Sequence, residues 1–219
     1  NSKSCRGLIA VAKKKKADKQ RFGQPVVTIP LPAPTGNGLV LALIFGVSLA
    51  LRIVHLLLYK DDFWFRTPLI DDGLFVSWAH TISQEGWLAR SLGTFDLNPG
   101  YPYFLAYFGK LFSRGFIPVF LFQHFLGSLV PVLMFLLCSK IFDRKTAVCA
   151  ALLSGLYGPS FFYESRFLGE FFICFFNLAA IVMLVGPVPD HRIGWRWGVA
   201  GFCIGLSAIF RPTVLAWVP

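Results

Sequence analysis

The sequence predicts an all-α protein, a polytopic transmembrane helix bundle with interfacial helices in its first extracytoplasmic loop. Composition is the first indication, because 55% of the 219 residues are hydrophobic and only 15% are charged. The second indication is a set of five apolar stretches, which run over 39–58, 117–139, 146–163, 167–185 and 195–218. The third is the distribution of basic residues between these stretches.

Each apolar stretch has, or nearly has, the length of a membrane crossing. About 20 residues cross a hydrocarbon core of about 30 Å as a helix. A helix of this length in a soluble core carries a polar face that repeats every three or four residues, and we identify no such face in these stretches. We therefore predict about five transmembrane helices within residues 39–219.

The basic residues predict a cytoplasmic N-terminus. In that orientation the inside segments are 1–38, 140–145 and 186–196, which hold 13 of the 21 Lys and Arg residues. The outside segments, 59–116 and 163–170, hold six basic residues and eight of the 11 acidic ones. Short loops rich in Lys and Arg stay in the cytoplasm, so all three inside segments agree. The prediction is a multi-pass protein of the cell (inner or plasma) membrane.

Residues 1–38 are predicted to be a basic cytoplasmic tail with a linker rich in Pro and Gly at 24–38. The run Lys13–Lys16 is typical of a juxtamembrane segment that contacts anionic lipid. The tail has no aromatic residues interleaved with its lysines, so the net charge of +10 does not indicate a nucleic-acid partner. Membrane lipid is the partner that the charge predicts.

The first outside loop, residues 59–116, is long enough to have a function of its own. Apolar residues recur at helical spacing from Gly73 to Gly86, and a second aromatic helix is predicted from Pro99 to Phe112. The first is expected to lie in the membrane interface with Trp78 and Trp87 at headgroup level, and the second is expected to be interfacial or half-inserted.

Two adjacent carboxylates, Asp71 and Asp72, precede the first of these helices. Helix capping is one explanation, because carboxylates accept hydrogen bonds from free N–H groups and oppose the positive end of the helix dipole. Interfacial chemistry is the other, since a carboxylate can accept a proton from an incoming hydroxyl or amine.

A second charged cluster lies in the short outside turn at 163–170. It contains Glu164, Arg166 and Glu170. Charged residues this close to apolar spans tend to be paired or functional. One interpretation of this cluster is a salt-bridge network. The other is a phosphate site, because a guanidinium matches the geometry of a phosphate group. His55 and His124 lie in spans and are interpreted as polar residues that pack between helices.

Several short motifs occur in an order that resembles the GT-C superfamily of membrane glycosyltransferases. The segments TPLIDDGLFVSWAHTISQEGWLA and NPGYPYFLAYFGKLF are similar to the first outside loop of its bacterial members related to protein O-mannosyltransferases and to the aminoarabinose transferases of lipid A. The matching residues are Pro68, Asp71, Trp78, Ala79, Gly86, Trp87, Pro99 and 101–106. Later elements with similar order are Q-x-x-L-G, Y-G-P, Y-E, L-x-E and Arg211-Pro212. One departure is Phe75, where the family usually has Tyr.

The resemblance covers about residues 39–219 and implies transfer of a sugar from a polyprenyl-phosphate donor to a lipid, glycan or protein acceptor outside the cytoplasmic membrane. It implies Asp71 as the base, with Asp72 assisting or holding a divalent cation, the one cofactor left open. Arg166 is the expected phosphate contact, and Glu164 and Glu170 are expected to orient either Arg166 or the acceptor. Arg211 is either a second phosphate contact or a residue that snorkels to the outer interface.

Other classes of function remain as alternatives. A transporter would place intramembrane charges along a pathway, whereas the acids here cluster at one surface. A non-catalytic scaffold or assembly subunit would use Gly198, Gly201 and Gly205 on one face of the fifth span to approach another helix, although packing within the same protein is the favoured reading. Because the sequence starts at Asn1 and stops at the end of a span, we expect it to be the N-terminal part of a longer protein.

Overall fold

A computed structural model describes residues 37–68, 70–93, 98–112, 117–186 and 193–217. Its regular elements are all helical in this part of the chain, which confirms the all-α class. The α-helices, in chain order, are α1 (Asn37–Tyr59), α2 (Phe63–Arg66), α3 (Asp71–Glu85), α4 (Gly100–Phe112), α5 (Ile117–Ile141), α6 (Arg144–Gly155), α7 (Gly158–Glu164), α8 (Glu170–Leu184) and α9 (Ile193–Phe210). Two 3₁₀-helices span Arg90–Leu92 and Pro212–Trp217. The predicted tail and linker, 1–38, lie outside the described residues except for the last two.

All five predicted apolar stretches form helices, and the chain is a membrane protein. α1 and α5 are long and apolar enough to cross a membrane. α6 and α7 meet at a bend of 49° and give a third crossing if they form one span. α8 is apolar but has only 15 residues. Length and composition thus identify two or three crossings among the described helices, and the number five stays a prediction.

The long helix α5 lies at the centre of the bundle. It packs against α1, α6 and α8, and α9 packs against α8. The two loop helices α3 and α4 pack on each other, and α4 also contacts α5 and α9. The contact with α9 is close at Gly100, where an added β-carbon would lie 2.7 Å from the Ile209 carbonyl oxygen. Glycine at this position therefore lets α4 dock closely on α9.

The structure contains both helices predicted in the outside loop, α3 and α4. α3 buries Phe75, Ala79 and Ile82, which lie on one helix face three or four residues apart. Of the two explanations for the aspartates, side-chain capping does not hold, because the helix begins at Asp71 and both aspartates lie inside its first turn. The N-cap residue is Ile70, which makes no side-chain cap hydrogen bond. The carboxylates still lie at the positive end of the helix dipole, where negative charge is favourable.

The two basic turns predicted to be inside meet at one end of the bundle. Lys140 Nζ donates to the Val185 carbonyl at 3.1 Å, and Arg196 donates to the same carbonyl at 2.8 Å. Both cations thereby satisfy the C-terminal end of α8, whose carbonyls lack helical partners. The helices α3 and α4 lie near the other end of α8, around Glu170. The predicted orientation requires the basic segments and the loop helices to lie at opposite ends of the bundle, as they do here. Which end faces the cytoplasm stays a prediction.

Candidate active site

Asp72 of α3 forms a buried ion pair with Arg166 of the turn after α7. The Asp72 carboxylate is 3% exposed and the Arg166 side chain 9% exposed. Residues that are far apart in the sequence thus meet through the docking of α3 on the bundle. Of the two explanations for these aspartates, the structure places Asp72 in a charged site and not in a cap.

The environment of Asp72 is apolar and crowded with negative charge. Burial raises its pKa from 3.8 to about 6, Arg166 opposes that shift, and the neighbouring charges of Asp71 and Glu170 add to it. A carboxyl group with a strongly perturbed pKa and a specific charged partner is typical of a functional site. Asp71 itself is exposed at the start of α3, so its carboxylate is accessible to an acceptor molecule.

Glu170 and Arg211 complete the charged end of the bundle. Their charged groups lie 4.0 Å apart, and both side chains are about half exposed. Five of the six residues predicted for the site therefore lie together: Asp71, Asp72, Arg166, Glu170 and Arg211. The cluster carries three carboxylates and two guanidinium groups, which can hold an anion and accept a proton within one site.

Glu164, the sixth predicted residue, lies deeper in the bundle. Its carboxylate accepts two hydrogen bonds from Arg52 of α1, at 2.7 Å from Nε and 2.9 Å from the second terminal nitrogen. Both side chains are 1% exposed. Glu164 is therefore paired with an intramembrane arginine, whereas the prediction paired it with Arg166 or with the acceptor. Arg52 also donates to the hydroxyl of Ser48 one turn earlier.

His124 of α5 extends the network around Glu164. Its Nδ1 lies 2.9 Å from Glu164 Oε2, and its Nε2 lies 3.2 Å from the hydroxyl oxygen of Ser165. The order Ser165, His124, Glu164 has the connectivity of a nucleophile, a base and a carboxylate. Ser165 is only 1% exposed and also lies within hydrogen-bonding distance of the Phe161 carbonyl, so no substrate reaches its hydroxyl. The network is therefore structural.

Gly127 of α5 makes room for the Glu164 carboxylate. An added β-carbon at this position would lie closer than 3.0 Å to the carboxyl carbon and to both oxygens of Glu164. Gly127 lies one turn after Gln123 and His124 and one residue before Ser128, and all four are buried. α5 thus buries a polar face inside the bundle, which corrects the sequence interpretation that these spans have none.

A second buried network fixes the backbone of the turn that carries Arg166. Gln123 Nε2 lies 2.7 Å from the carbonyl oxygen of Glu164 and 3.2 Å from that of Arg166. The Tyr101 hydroxyl donates to Gln123 Oε1 at 2.7 Å. Burial raises the pKa of Tyr101 well above its usual value, so the phenol stays protonated and remains a donor.

Two sequence signals point to Arg52 and to the buried polar face of α5. An arginine inside an apolar span, Arg52, requires a partner in the bundle. The segment QHFLGS places polar or small residues at positions i, i+1, i+4 and i+5 of a helix, which share one face. Neither signal identifies the partner, because Arg52 and Glu164 are separated by 112 positions. Only the packing of α1, α5 and α7 brings them together.

The described residues do not favour a divalent cation at Asp72. Among them, no three His, Cys, Asp or Glu side chains are grouped as metal ligands. The Asp72 carboxylate also faces the positive charge of Arg166, which opposes a second cation at the same oxygen. We therefore derive no chemical step through a metal.

Comparison with known proteins identifies a family. Residues 96–219, more than half of the chain, match the family model for dolichyl-phosphate-mannose-protein mannosyltransferase. No curated protein and no solved structure matches the chain. The matched range contains α4 to α9, the Glu164–Glu170 turn and Arg211.

Proposed function

The chain belongs to the dolichyl-phosphate-mannose-protein mannosyltransferase family of GT-C membrane glycosyltransferases, and on that premise we propose that it transfers a sugar from a polyprenyl-phosphate donor. The acceptor is a lipid, a glycan or a protein on the extracytoplasmic side of the membrane. The observation that carries the proposal is the buried Asp72–Arg166 pair next to the exposed Asp71. It supports a site with a fixed positive charge and an accessible base at the predicted outer surface.

The reaction breaks the bond between the sugar and the phosphate oxygen and forms a bond from the sugar to an acceptor hydroxyl or amine. The lipid phosphate leaves as an anion. The acceptor proton passes to the Asp71 carboxylate, which lies exposed in the first turn of α3. Charge is balanced, because one anionic base is consumed and one anionic leaving group is formed.

Arg166 is the proposed contact for the donor phosphate. A guanidinium has five N–H donors, so it can keep its contact with Asp72 while other N–H groups bind a phosphate. Asp72 orients Arg166 and partly neutralises it, which is a positioning role. Arg211, half exposed beside Glu170, supplies additional positive charge for the same phosphate.

Replacing Asp71 with Asn in the full-length protein tests this proposal. The substitution preserves size and removes the basic carboxylate, so we expect sugar transfer to fall about 10²–10⁴-fold. Membrane insertion should be unchanged, because Asp71 is exposed. Transfer is measured from radiolabelled dolichyl phosphate mannose in membranes, and insertion by resistance to carbonate extraction.

Asp61→Asn is the matched control, since Asp61 is also an exposed aspartate of the predicted outside loop. It should retain wild-type transfer. A scaffold or assembly subunit predicts a different outcome, in which Asp71→Asn and Asp61→Asn are both indistinguishable from the wild type. That outcome would remove the catalytic role from this loop.

A further inference from the structure

The turn that carries Arg166 is held by hydrogen bonds from two other helices. Gln123 of α5 contacts the carbonyl oxygens of Glu164 and Arg166 through one amide nitrogen. Tyr101 of α4 contacts the carboxamide oxygen of Gln123, and its hydroxyl also lies 3.3 Å from the Arg166 carbonyl oxygen. Three segments that are distant in sequence therefore meet at two carbonyl groups of one turn, those of Glu164 and Arg166.

The orientation of the Gln123 amide follows from its neighbours. A carbonyl oxygen only accepts hydrogen bonds, so the side of Gln123 that faces two carbonyls must be the NH₂ group. The carboxamide oxygen then faces Tyr101, whose hydroxyl donates to it. Gln123 is 0% exposed and Tyr101 is 1% exposed, so water does not compete for these bonds.

The aromatic ring of Tyr101 has a separate task. It packs against Phe75 of α3 at 5.6 Å between ring centroids and against Phe104 at 5.8 Å. Phenylalanine at this position would preserve that packing. The hydroxyl is the part of Tyr101 that reaches the turn, and its contribution can be separated from the packing of the ring.

We propose that Tyr101 and Gln123 are positioning residues, which fix the backbone of the Glu164–Arg166 turn so that Arg166 reaches the Asp72 carboxylate and the donor phosphate together. This inference rests on the proposed function. An arginine side chain has many rotamers, and its reach is defined only if the backbone from which it extends is fixed. Misplacement of a binding group by about 1 Å is enough to lose about 10²-fold in rate.

The test measures the dissociation constant of dolichyl phosphate mannose for the full-length protein in detergent micelles. Tyr101→Phe removes one hydroxyl and should weaken donor binding about tenfold, because a charge-assisted contact to the phosphate is misaligned. Tyr103→Phe is the matched control on the same helix. The Tyr103 hydroxyl donates to the Trp87 carbonyl at 2.6 Å, in the segment between α3 and α4, so donor binding should be unchanged.

A double-mutant cycle separates positioning from general destabilisation. If Tyr101 acts through Arg166, Tyr101→Phe should have no further effect on donor binding once Arg166→Ala is present. Gln123→Glu should behave like Tyr101→Phe, because it places an acceptor against the two carbonyls and loses the donor. Additive effects of Tyr101→Phe and Arg166→Ala would overturn the positioning role, as would wild-type binding by Tyr101→Phe.

The same experiment distinguishes failure of the inference from failure of the proposed function. Weak donor binding by Arg166→Ala with wild-type binding by Tyr101→Phe and Gln123→Glu would leave the phosphate site intact and refute the positioning role. Wild-type binding by Arg166→Ala would refute the phosphate site itself, and the inference with it.

Discussion

Replacing Gly127 with Ala tests the buried network at the centre of the bundle. The new methyl carbon would lie closer than 3.0 Å to three atoms of the Glu164 carboxyl group, whereas ordinary contact is 3.4–4 Å. The carboxylate is held by Arg52 at 2.7 and 2.9 Å and by His124 at 2.9 Å. It would have to move by roughly 1 Å, which takes these hydrogen bonds out of range.

The expected cost follows from the loss of a buried ion pair. Breaking such a pair destabilises a protein by about 3–5 kcal/mol, because a charge is left without its partner in a region of low dielectric constant. Alanine has a higher helix propensity than glycine by about 1 kcal/mol, which offsets part of the loss. We therefore expect Gly127→Ala to lower the free energy of unfolding by about 2–4 kcal/mol.

Reversible unfolding in SDS, followed by circular dichroism, measures this difference. Gly46→Ala in α1 is the control, because an added β-carbon there meets no atom within 4 Å. It should be neutral or slightly stabilising. In the double variant Gly127→Ala, Glu164→Ala the clash is absent, so the cost should be close to that of Glu164→Ala alone. Wild-type stability of Gly127→Ala would refute the role assigned to the Glu164 carboxylate.

Two further predictions concern topology and pH. Cysteine labelling from outside intact cells should modify Ser91→Cys but not Lys145→Cys, because Ser91 lies in the predicted outside loop and Lys145 in a basic turn; the reverse pattern would invert the orientation. Protonation of Asp72 near its pKa of about 6 leaves the charge of Arg166 uncompensated, so dolichyl phosphate mannose should bind about tenfold more tightly near pH 5 than near pH 7. The folded state binds this proton more tightly than the unfolded state, so the contribution of Asp72 to stability should fall as pH rises from about 4 to about 6. Asp72→Asn should remove the pH dependence of donor binding and that of stability. A pH dependence that persists in this variant would have to arise from another titratable group.

Much of the fold and of the charged site could be predicted from the sequence, because hydropathy and charge are local signals. The two helices of the loop at 59–116 follow from apolar spacing. Charge next to apolar segments, together with the resemblance to the GT-C superfamily, indicates Asp71, Arg166 and Arg211. Their three-dimensional neighbours required the structure. Asp72 has two local explanations in the sequence, helix capping and interfacial chemistry, and neither indicates the ion pair with Arg166, which depends on the docking of α3.

The buried networks could not be predicted from the sequence either, because their partners are brought together only by helix packing. Glu164 and Arg166 are two residues apart in one turn, yet their side chains point to different partners, Arg52 and Asp72. The spacing of charges along the chain suggested one cluster. The bundle divides it into an outer charged site and an inner ion pair, since the turn directs the side chains of Glu164 and Arg166 to different partners.

The side of the membrane on which transfer occurs tests the account most directly. Sealed right-side-out and inside-out vesicles that contain the full-length protein are given a short-chain, water-soluble polyprenyl phosphate mannose, and release of the lipid phosphate is measured. We predict release in right-side-out vesicles and none in inside-out vesicles, with Asp71→Asn reducing the former about 10²–10⁴-fold. Equal release in both preparations, or release only in inside-out vesicles, would contradict an extracytoplasmic site built from Asp71, Asp72 and Arg166.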